Sequence, residues 1–374
     1  MKICIVVNSS WNIYNFRSGL IKSLKKGGHE IVTIAPNDGY IPLIERLGCR
    51  HHIIEIDSKG SNPLKDIWFF LQLLHIYWVE KPDVVLHYTI KPNIYGSFAA
   101  ALLRIPAINN VTGLGTVFLH QNLTARIARW LYRWSFRFPQ TVFFQNQEDR
   151  QLFIDLKLVD EKITDVLPGS GIDVKKFVPL PSRKNEVFTF LLIARILYDK
   201  GILEYVEAIR ILRRKGIRAK FWLLGKIDTD AGLGIPPEEV ANWQAEGLIE
   251  YLGTTDDVIS VIRRADCVLL PSYREGTPRT LLEAASLGKP IIATDVPGCR
   301  ETVQHGINGL LCKVKDPADL AAKMEQIMQT DEATLRQMGY NSRKLAVERF
   351  DQNIVIDKYQ RALASIVAGV PFIP

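Results

Sequence analysis

The stretch "REGTPRTLLEAASLGKPIIATD", residues 274–295, decides how this chain is read. It follows the apolar run "CVLLPS" and ends in the apolar run "PIIATD", with an amphipathic segment between them. Strand, loop, helix and strand in that order form one unit of a parallel sheet. Pro278 suits the first helical turn, where its missing N–H costs nothing, and Gly288 closes the helix. Two carboxylates, Glu275 and Glu283, stand eight apart, one in the loop and one inside the helix.

Outward from this unit the alternation continues in both directions. "FTFLLIAR", "AKFWLLG", "IEYLG" and "GLLCKV" read as further strands, and "GILEYVEAIRILRRKG" as a helix. Before them, "KICIVV", "EIVTIAP", "HHIIEI", "PDVVLHYT" and "PAINNVTG" are strands separated by helical stretches, among them "RSGLIKSLKKGG". The pattern pauses in "LPGSGIDVKKFVPLPSRKNEV", whose prolines, glycines and polar residues suit a linker. The expected architecture is α/β: two doubly wound parallel-sheet, Rossmann-like domains, residues 1–178 and 179–352. A closing helix over about 353–374 is expected to pack back on the first. Ligands of such sheets bind beyond the carboxyl ends of the strands, which with two such domains points to a central cleft.

The 374-residue chain is 47% hydrophobic and 23% charged, as a folded globular protein is. It has no run of about eighteen apolar residues, so no membrane span is expected. Five scattered cysteines show neither metal-ligand nor disulfide spacing, which fits a reducing cytoplasm. The formal charge of +7 favours anionic partners.

The loop after "CVLLPS" offers Glu275, Gly276 and Thr277 to a ligand, and the following helix start offers N–H groups to an oxygen-rich one. Glu275 can accept from hydroxyls, and Glu283 can bind a diol bidentately. The rival reading makes Glu275 an acid favoured by the helix dipole and Glu283 a solvated residue. Its neighbours Leu281, Leu282, Ala284 and Ala285 weigh against solvent. In "LLIARILYDKG" a strand delivers Arg195, and Lys200 with Gly201 opens a helix. Two cations and a helix start suit a diphosphate; two surface cations are the plain alternative.

Taken together, these stretches resemble the family 4 glycosyltransferases, retaining enzymes of the GT-B fold. "ARILYDKG" is similar to the family's G-R-x4-K-G, "PSYREGTPRTLLEAASLGKPIIATDVPGCRETVQHGINGLL" to its E-x7-E block, and "VLPGSGIDVKKFVP" to its I-P-N-G-V-D-x3-F-x-P. The resemblance covers most of the chain. It implies a UDP-sugar donor, with Arg195 and Lys200 neutralising the leaving diphosphate and Glu283 on the ribose. Glu275, with Gly276, Thr277, Pro278 and Arg279, would hold the sugar, and no metal or other cofactor is expected. Catalysis would rest on Glu275, Arg195 and Lys200.

The first half departs from the family. "NSSWNIYNFRSG" stands where many relatives carry a Gly-Gly loop, with Arg17 and Gly19 at the expected helix start and Arg17 toward the phosphates. In "INNVTGLGT", Thr112 occupies the place of a histidine that many relatives carry, and Thr112, Gly113 and Gly115 are read as a cleft loop. His87 ends a strand and is either an acceptor contact or a structural histidine. In "TARIARWLYRWSFRFP", residues 124–139, Arg126, Arg129, Arg133 and Arg137 recur at helical spacing beside Trp130 and Trp134. That pattern suits an anionic membrane surface, or a packed helix with a basic outer face. No nucleic-acid motif accompanies it. The function expected is transfer of a hexose or N-acetylhexosamine from a UDP-sugar to a lipid-linked saccharide, on the inner face of the cell membrane, in surface polysaccharide synthesis. The alternatives are a GT-B nucleotide-sugar 2-epimerase and a non-catalytic nucleotide-binding, membrane-associated protein.

Overall fold

The computed structural model describes residues 1–57, 60, 62–114, 123–180, 186–228 and 234–372, with residue 124 as backbone alone. The chain forms two compact units, Met1–Gly171 with Gln352–Pro374, and Ile172–Asp351. The division falls at Gly171–Ile172 and not after residue 178. Ile172 already belongs to the second unit, because its N–H donates to the Phe350 carbonyl at 2.7 Å and Val174 and Phe177 enter that unit's core.

The first unit is built on strands β1 Lys2–Val6, β2 Glu30–Ala35, β3 Arg50–Ile53, β4 Val84–Tyr88, β5 Ala107–Val111, β6 Thr141–Phe144 and β7 Thr164–Val166. Its helices are α1 Ser10–Lys26, α2 Ile41–Arg46, α3 Pro63–Glu80, α4 Ser97–Leu102, α5 Leu123–Ser135 and α6 Gln147–Asp155. The second unit holds β8 Thr189–Ile193, β9 Lys220–Leu224, β10 Glu250–Tyr251, β11 Cys267–Leu270, β12 Ile291–Thr294 and β13 Gly309–Cys312. Its helices are α7 Ile202–Arg214, α8 Pro237–Ala245, α9 Val258–Arg264, α10 Arg279–Ser286, α11 Cys299–Thr302, α12 Pro317–Gln329 and α13 Glu332–Arg349. The last helix, α14 Gln352–Ala368, returns to the first unit.

Among the described residues the sheets run β3-β2-β1-β4-β5-β6-β7 and β10-β9-β8-β11-β12-β13. Both contain the doubly wound order, with its switch point beside β1 and β8 respectively. Central strands such as β1, β8 and β12 are apolar nearly throughout because both faces are covered, whereas the edge strand β3 is polar and partly exposed. Along β1, Ile3 and Ile5 pack toward one face with residues of α1 and α14, while Cys4 and Val6 pack toward the other with α3. No helix among the described residues is long and apolar enough to cross a membrane. All five cysteines are free and buried.

Helix α14 is part of the first core and not an appendage. Tyr359 is fully buried; its ring meets Phe143 edge to face at 5.1 Å, and its hydroxyl accepts from Asn110 Nδ2 at 2.9 Å. Tyr359→Ala is therefore expected to destabilise the first unit by about 3–5 kcal/mol, as large-to-small core changes do. Urea unfolding followed by probes in each unit checks this: the transition of the first unit should move and that of the second should not.

Candidate functional site

The site in the second unit is assembled from the loops that follow β8, β11 and β12. After β8 the chain turns through Tyr198–Lys200 and reaches Gly201 at φ +70° before α7 begins. A Cβ there would run into the Pro271 carbonyl, just past β11. The glycine thus supplies a left-handed residue and a close backbone approach at one point, which brings the two loops into contact. The Tyr273 N–H donates to the Asp199 carbonyl at 2.9 Å, and the Tyr273 hydroxyl donates to Glu204 Oε1 at 2.7 Å. Gly298, at φ +79°, does the same for the loop after β12, lying against the carbonyls of Glu275 and Gly276.

These approaches place Lys200 Nζ 2.7 Å from Glu275 Oε1, with both side chains about five-sixths buried (15% and 16% exposed). Burial works against the Lys200 charge, but Glu275 and Asp199 outweigh it and hold the ammonium above its ordinary pKa. Arg195 stands nearby and opposes that charge. Its own side chain is 59% exposed, with Asp228 Oδ2 at 3.6 Å.

Gly276 and Thr277 are buried. Pro278 stands at the capping position, one residue before the helical turn expected for it, and its carbonyl receives the Leu281 N–H at 3.0 Å. Glu283 is only 8% exposed, so it is not a solvated helical residue. Burial pushes its carboxyl pKa up, and Arg279, one turn earlier, pulls it down. Arg279 Nε donates to Glu283 Oε1 at 3.2 Å. The two residues stand one helical turn apart, at i,i+4.

Asp199 Oδ1, Glu204 Oε2 and Ser272 Oγ are buried in the same region with no hydrogen-bond partner among the described residues. Such groups are uncommon in folded proteins and mark places where a ligand or water completes the bonding. Sequence reasoning missed all three. Asp199 adjoins Lys200 and Ser272 stands three residues before Glu275, whereas Glu204 becomes relevant only through its bond to Tyr273.

Comparison with known proteins fits this geometry. Residues 175–345 match the family "Glycosyl transferases group 1" and residues 2–146 match "Glycosyl transferase 4-like". The chain is 30% identical over 387 aligned positions, spanning 99% of this chain and 100% of the relative, to the N,N'-diacetylbacillosaminyl-diphospho-undecaprenol alpha-1,3-N-acetylgalactosaminyltransferase of Campylobacter jejuni. The chain belongs to the GT-B glycosyltransferases. A second relative of this glycosyltransferase, at 24% identity over 83% of the chain and 82% of the relative, is the Escherichia coli UDP-Gal:alpha-D-GlcNAc-diphosphoundecaprenol alpha-1,3-galactosyltransferase. Its fold is shared with Anabaena Alr3699/HepE in complex with UDP-glucose, at a TM-score of 0.81 and 20% identity over 98% of this chain and 100% of that one.

In the first unit of the glycosyltransferase the structure corrects the expectations or chooses between them in three places. Helix α1 starts at Ser10, so Arg17 and Gly19 lie about two turns inside it and not at its start. Ser9 caps it by accepting from the Asn12 N–H at 3.3 Å. The Asp38 carboxylate accepts from the Trp11 N–H at 3.0 Å, so an anion of the protein's own already occupies that helix end. Arg17 is 2% exposed and lies over the Tyr88 ring, 4.1 Å from its centroid. Gly19 backs onto the Gln352 side chain of α14.

The second place is His87, which is fully buried and is the structural histidine of the two readings, not an acceptor contact. Tyr77 Oη lies 2.8 Å from its Nε2, and Asn109 Oδ1 lies 2.8 Å from its Nδ1. A neutral ring with its proton on Nδ1 satisfies both partners. Thr112 is half-buried and Gly113 has φ +132° just beyond β5; Gly115 lies outside the described residues.

Third, α5 exposes Arg126, Arg133 and Arg137 together with Trp130 (60%) and Trp134 (42%). Arg129 turns inward and is half-buried, which reduces the expected four-arginine stripe to three. Ala125, Tyr132, Ser135 and Phe136 form the buried face.

The His87 network makes a pH prediction. Burial lowers its pKa from 6.5 to about 4, against the Asn109 bond that raises it. The stability owed to the neutral ring is full above the unfolded pKa and is lost as pH falls from there through the folded value. Between about pH 7 and pH 4 the wild type should lose about 3 kcal/mol more than His87→Gln. Urea unfolding across that range measures it; equal losses would mean that the ring titrates normally in the fold.

Proposed function

We propose that this glycosyltransferase moves a hexose or N-acetylhexosamine from a UDP-sugar to a lipid-linked saccharide with retention at the anomeric carbon. The observation that carries the reading is the meeting of Lys200 and Glu275, 75 residues apart, at the carboxyl ends of neighbouring strands β8 and β11. In this reading Lys200 and Arg195 face the donor diphosphate. Glu275 and the Gly276–Thr277 backbone hold the transferred sugar, and Glu283 accepts from the ribose hydroxyls. The bond from the anomeric carbon to the β-phosphate oxygen breaks, and a bond to the acceptor hydroxyl oxygen forms on the same face. The departing phosphate oxygen takes the acceptor proton. The protein's part is to position the reactants and to stabilise the charge that develops on the leaving group. The two cations carry that neutralisation, and no metal takes part in the proposed scheme.

The acceptor class is supported by the names of the relatives, two of which act on diphospho-undecaprenol-linked sugars. The exposed arginines and tryptophans of α5 support peripheral attachment to an anionic membrane surface, on the cytoplasmic side where nucleotide sugars would be met.

Two sets of variants test the donor assignment. Arg195→Ala and Lys200→Ala should each cost about 3 kcal/mol at the transition state, roughly a hundredfold in kcat/KM. Near wild-type turnover in both would remove them from the diphosphate. Glu283→Gln should weaken UDP in calorimetry, since an amide keeps only one acceptor oxygen, whereas Glu275→Gln should spare UDP and damage transfer. Equal loss of UDP affinity in both would show that the two carboxylates do not divide the ligand in this way. Release of free epimerised sugar without an acceptor would instead support an epimerase.

A further inference from the structure

The first unit carries an apolar surface that its own core does not use. Helix α3 buries Phe69, Leu73, Ile76 and Tyr77 and turns the opposite stripe outward. On that stripe Leu64 is 76% exposed, Trp68 55% and Trp78 64%. Helix α5 exposes Ile127, Trp130 and Trp134, and α4 ends in Leu102, also exposed. Several large apolar side chains exposed on neighbouring helices of a folded domain mark a place of contact with something apolar.

Between these helices lies an open groove of about 500 Å³. Its walls are Ile67 and Phe70 of α3, Tyr95, Phe98 and Leu102 from the turn before α4 and from α4 itself, and Phe138 just past α5. Phe98 and Phe138 meet edge to face across it, with centroids 6.0 Å apart. The one acid near this wall on α3, Asp66, is already held by Lys91 Nζ at 2.5 Å and by the Tyr95 hydroxyl at 3.0 Å. Cations stand at the margin. Arg137, next to Phe138, lies over the Trp134 ring at 4.2 Å, and Arg126 and Arg133 are exposed on the same helix. Arg104 is exposed in the turn that follows α4. Neither the 97–104 segment nor the 123–138 segment contains an acid.

An open, largely aromatic trough with arginines at its margin is complementary to a molecule with an anionic head and a hydrocarbon tail. We propose that this groove binds the polyisoprenyl chain of the acceptor lipid next to its diphosphate, with Arg133 and Arg137 toward the phosphates. The proposal rests on the lipid-linked acceptor reading above and adds to it a site for the lipid itself. The aromatic side chains that line the groove offer apolar surface to the methyl-branched isoprenoid chain. The exposed tryptophans around the groove place its mouth at the level of the membrane interface. Acceptor selection then includes the carrier lipid as well as the sugar it bears.

The test uses the full chain with the donor site saturated by UDP, and farnesyl diphosphate below its micelle-forming concentration as the probe. Inorganic diphosphate reports the head alone, and dodecyl diphosphate reports an unbranched tail. Farnesyl diphosphate should bind at least about tenfold more tightly than either. Ala101→Trp, which fills the groove from the α4 side, should abolish that preference while leaving UDP affinity and the thermal transition unchanged. Phe98→Ala, which widens the groove, should weaken the farnesyl probe and spare inorganic diphosphate. Arg133→Gln with Arg137→Gln should weaken both diphosphates. Farnesyl binding no tighter than inorganic diphosphate would overturn the chain site. Equal binding of farnesyl and dodecyl tails would overturn the isoprenoid assignment in favour of a bilayer acyl chain. These binding readouts need no turnover. Failure of the glycosyl-transfer reading would show separately, as loss of UDP binding or of its response to Glu283→Gln.

Discussion

The Lys200–Glu275 ion pair depends on two strands lying side by side, and much of the second unit is arranged to make that possible. Strands β8 and β11 pair in parallel, with Phe190 opposite Cys267 and Leu192 opposite Leu269. Their loops therefore leave the sheet at the same edge. Gly201 and Gly298 then allow backbone approaches that any side chain would block. An ion pair with about one-sixth of each side chain exposed contributes little net stability, because desolvation offsets the attraction. Its value here is positional. It holds a cation and a carboxylate at one point of the surface, where each can exchange its partner for an anionic or hydroxylated group of a ligand without a new desolvation cost.

Glu283 illustrates the same trade. A carboxylate with 11% of its side chain exposed, on a helix whose flanking residues are all buried, is expensive to keep charged. Arg279 offsets part of that cost, and the remaining acceptor capacity of Glu283 faces the question of what else it bonds. The unpartnered oxygens of Asp199, Glu204 and Ser272 raise the same question nearby. A surface that tolerates several such groups close together is one whose bonding is finished by something other than the protein.

The first unit solves a different problem. Its sheet core is sealed by the return of α14, whose Tyr359 reaches Phe143 and Asn110. Its outer surface keeps large apolar side chains exposed on α3, α4 and α5, beside exposed arginines on α5. The stripe on α3 could not be assigned to the outside from the sequence, because "PLKDIWFFLQLLHIYWVEK" is apolar nearly all the way round. Helical periodicity separates an apolar face from a polar one; it does not separate a face that packs on a sheet from a face that meets a membrane or a lipid.

Taken alone, the sequence determined the two-sheet architecture, because apolar strand runs and amphipathic helices alternate with different periods and those periods are local. It also singled out the second-half loops that hold the candidate site residues. There, Glu275, Glu283, Arg195 and Lys200 sit in short motifs whose spacing survives folding unchanged. Only the tertiary structure decided that Lys200 meets Glu275, that Arg17 is buried over Tyr88 within a helix already capped by Ser9 and Asp38, and that His87 is sealed between Tyr77 and Asn109. It alone turned Arg129 inward while leaving Trp130 and Trp134 in the open. Each of these outcomes depends on which strand pairs with which and on which face of a helix finds a neighbour. Most of those contacts join residues tens of positions apart, where local spacing carries no information.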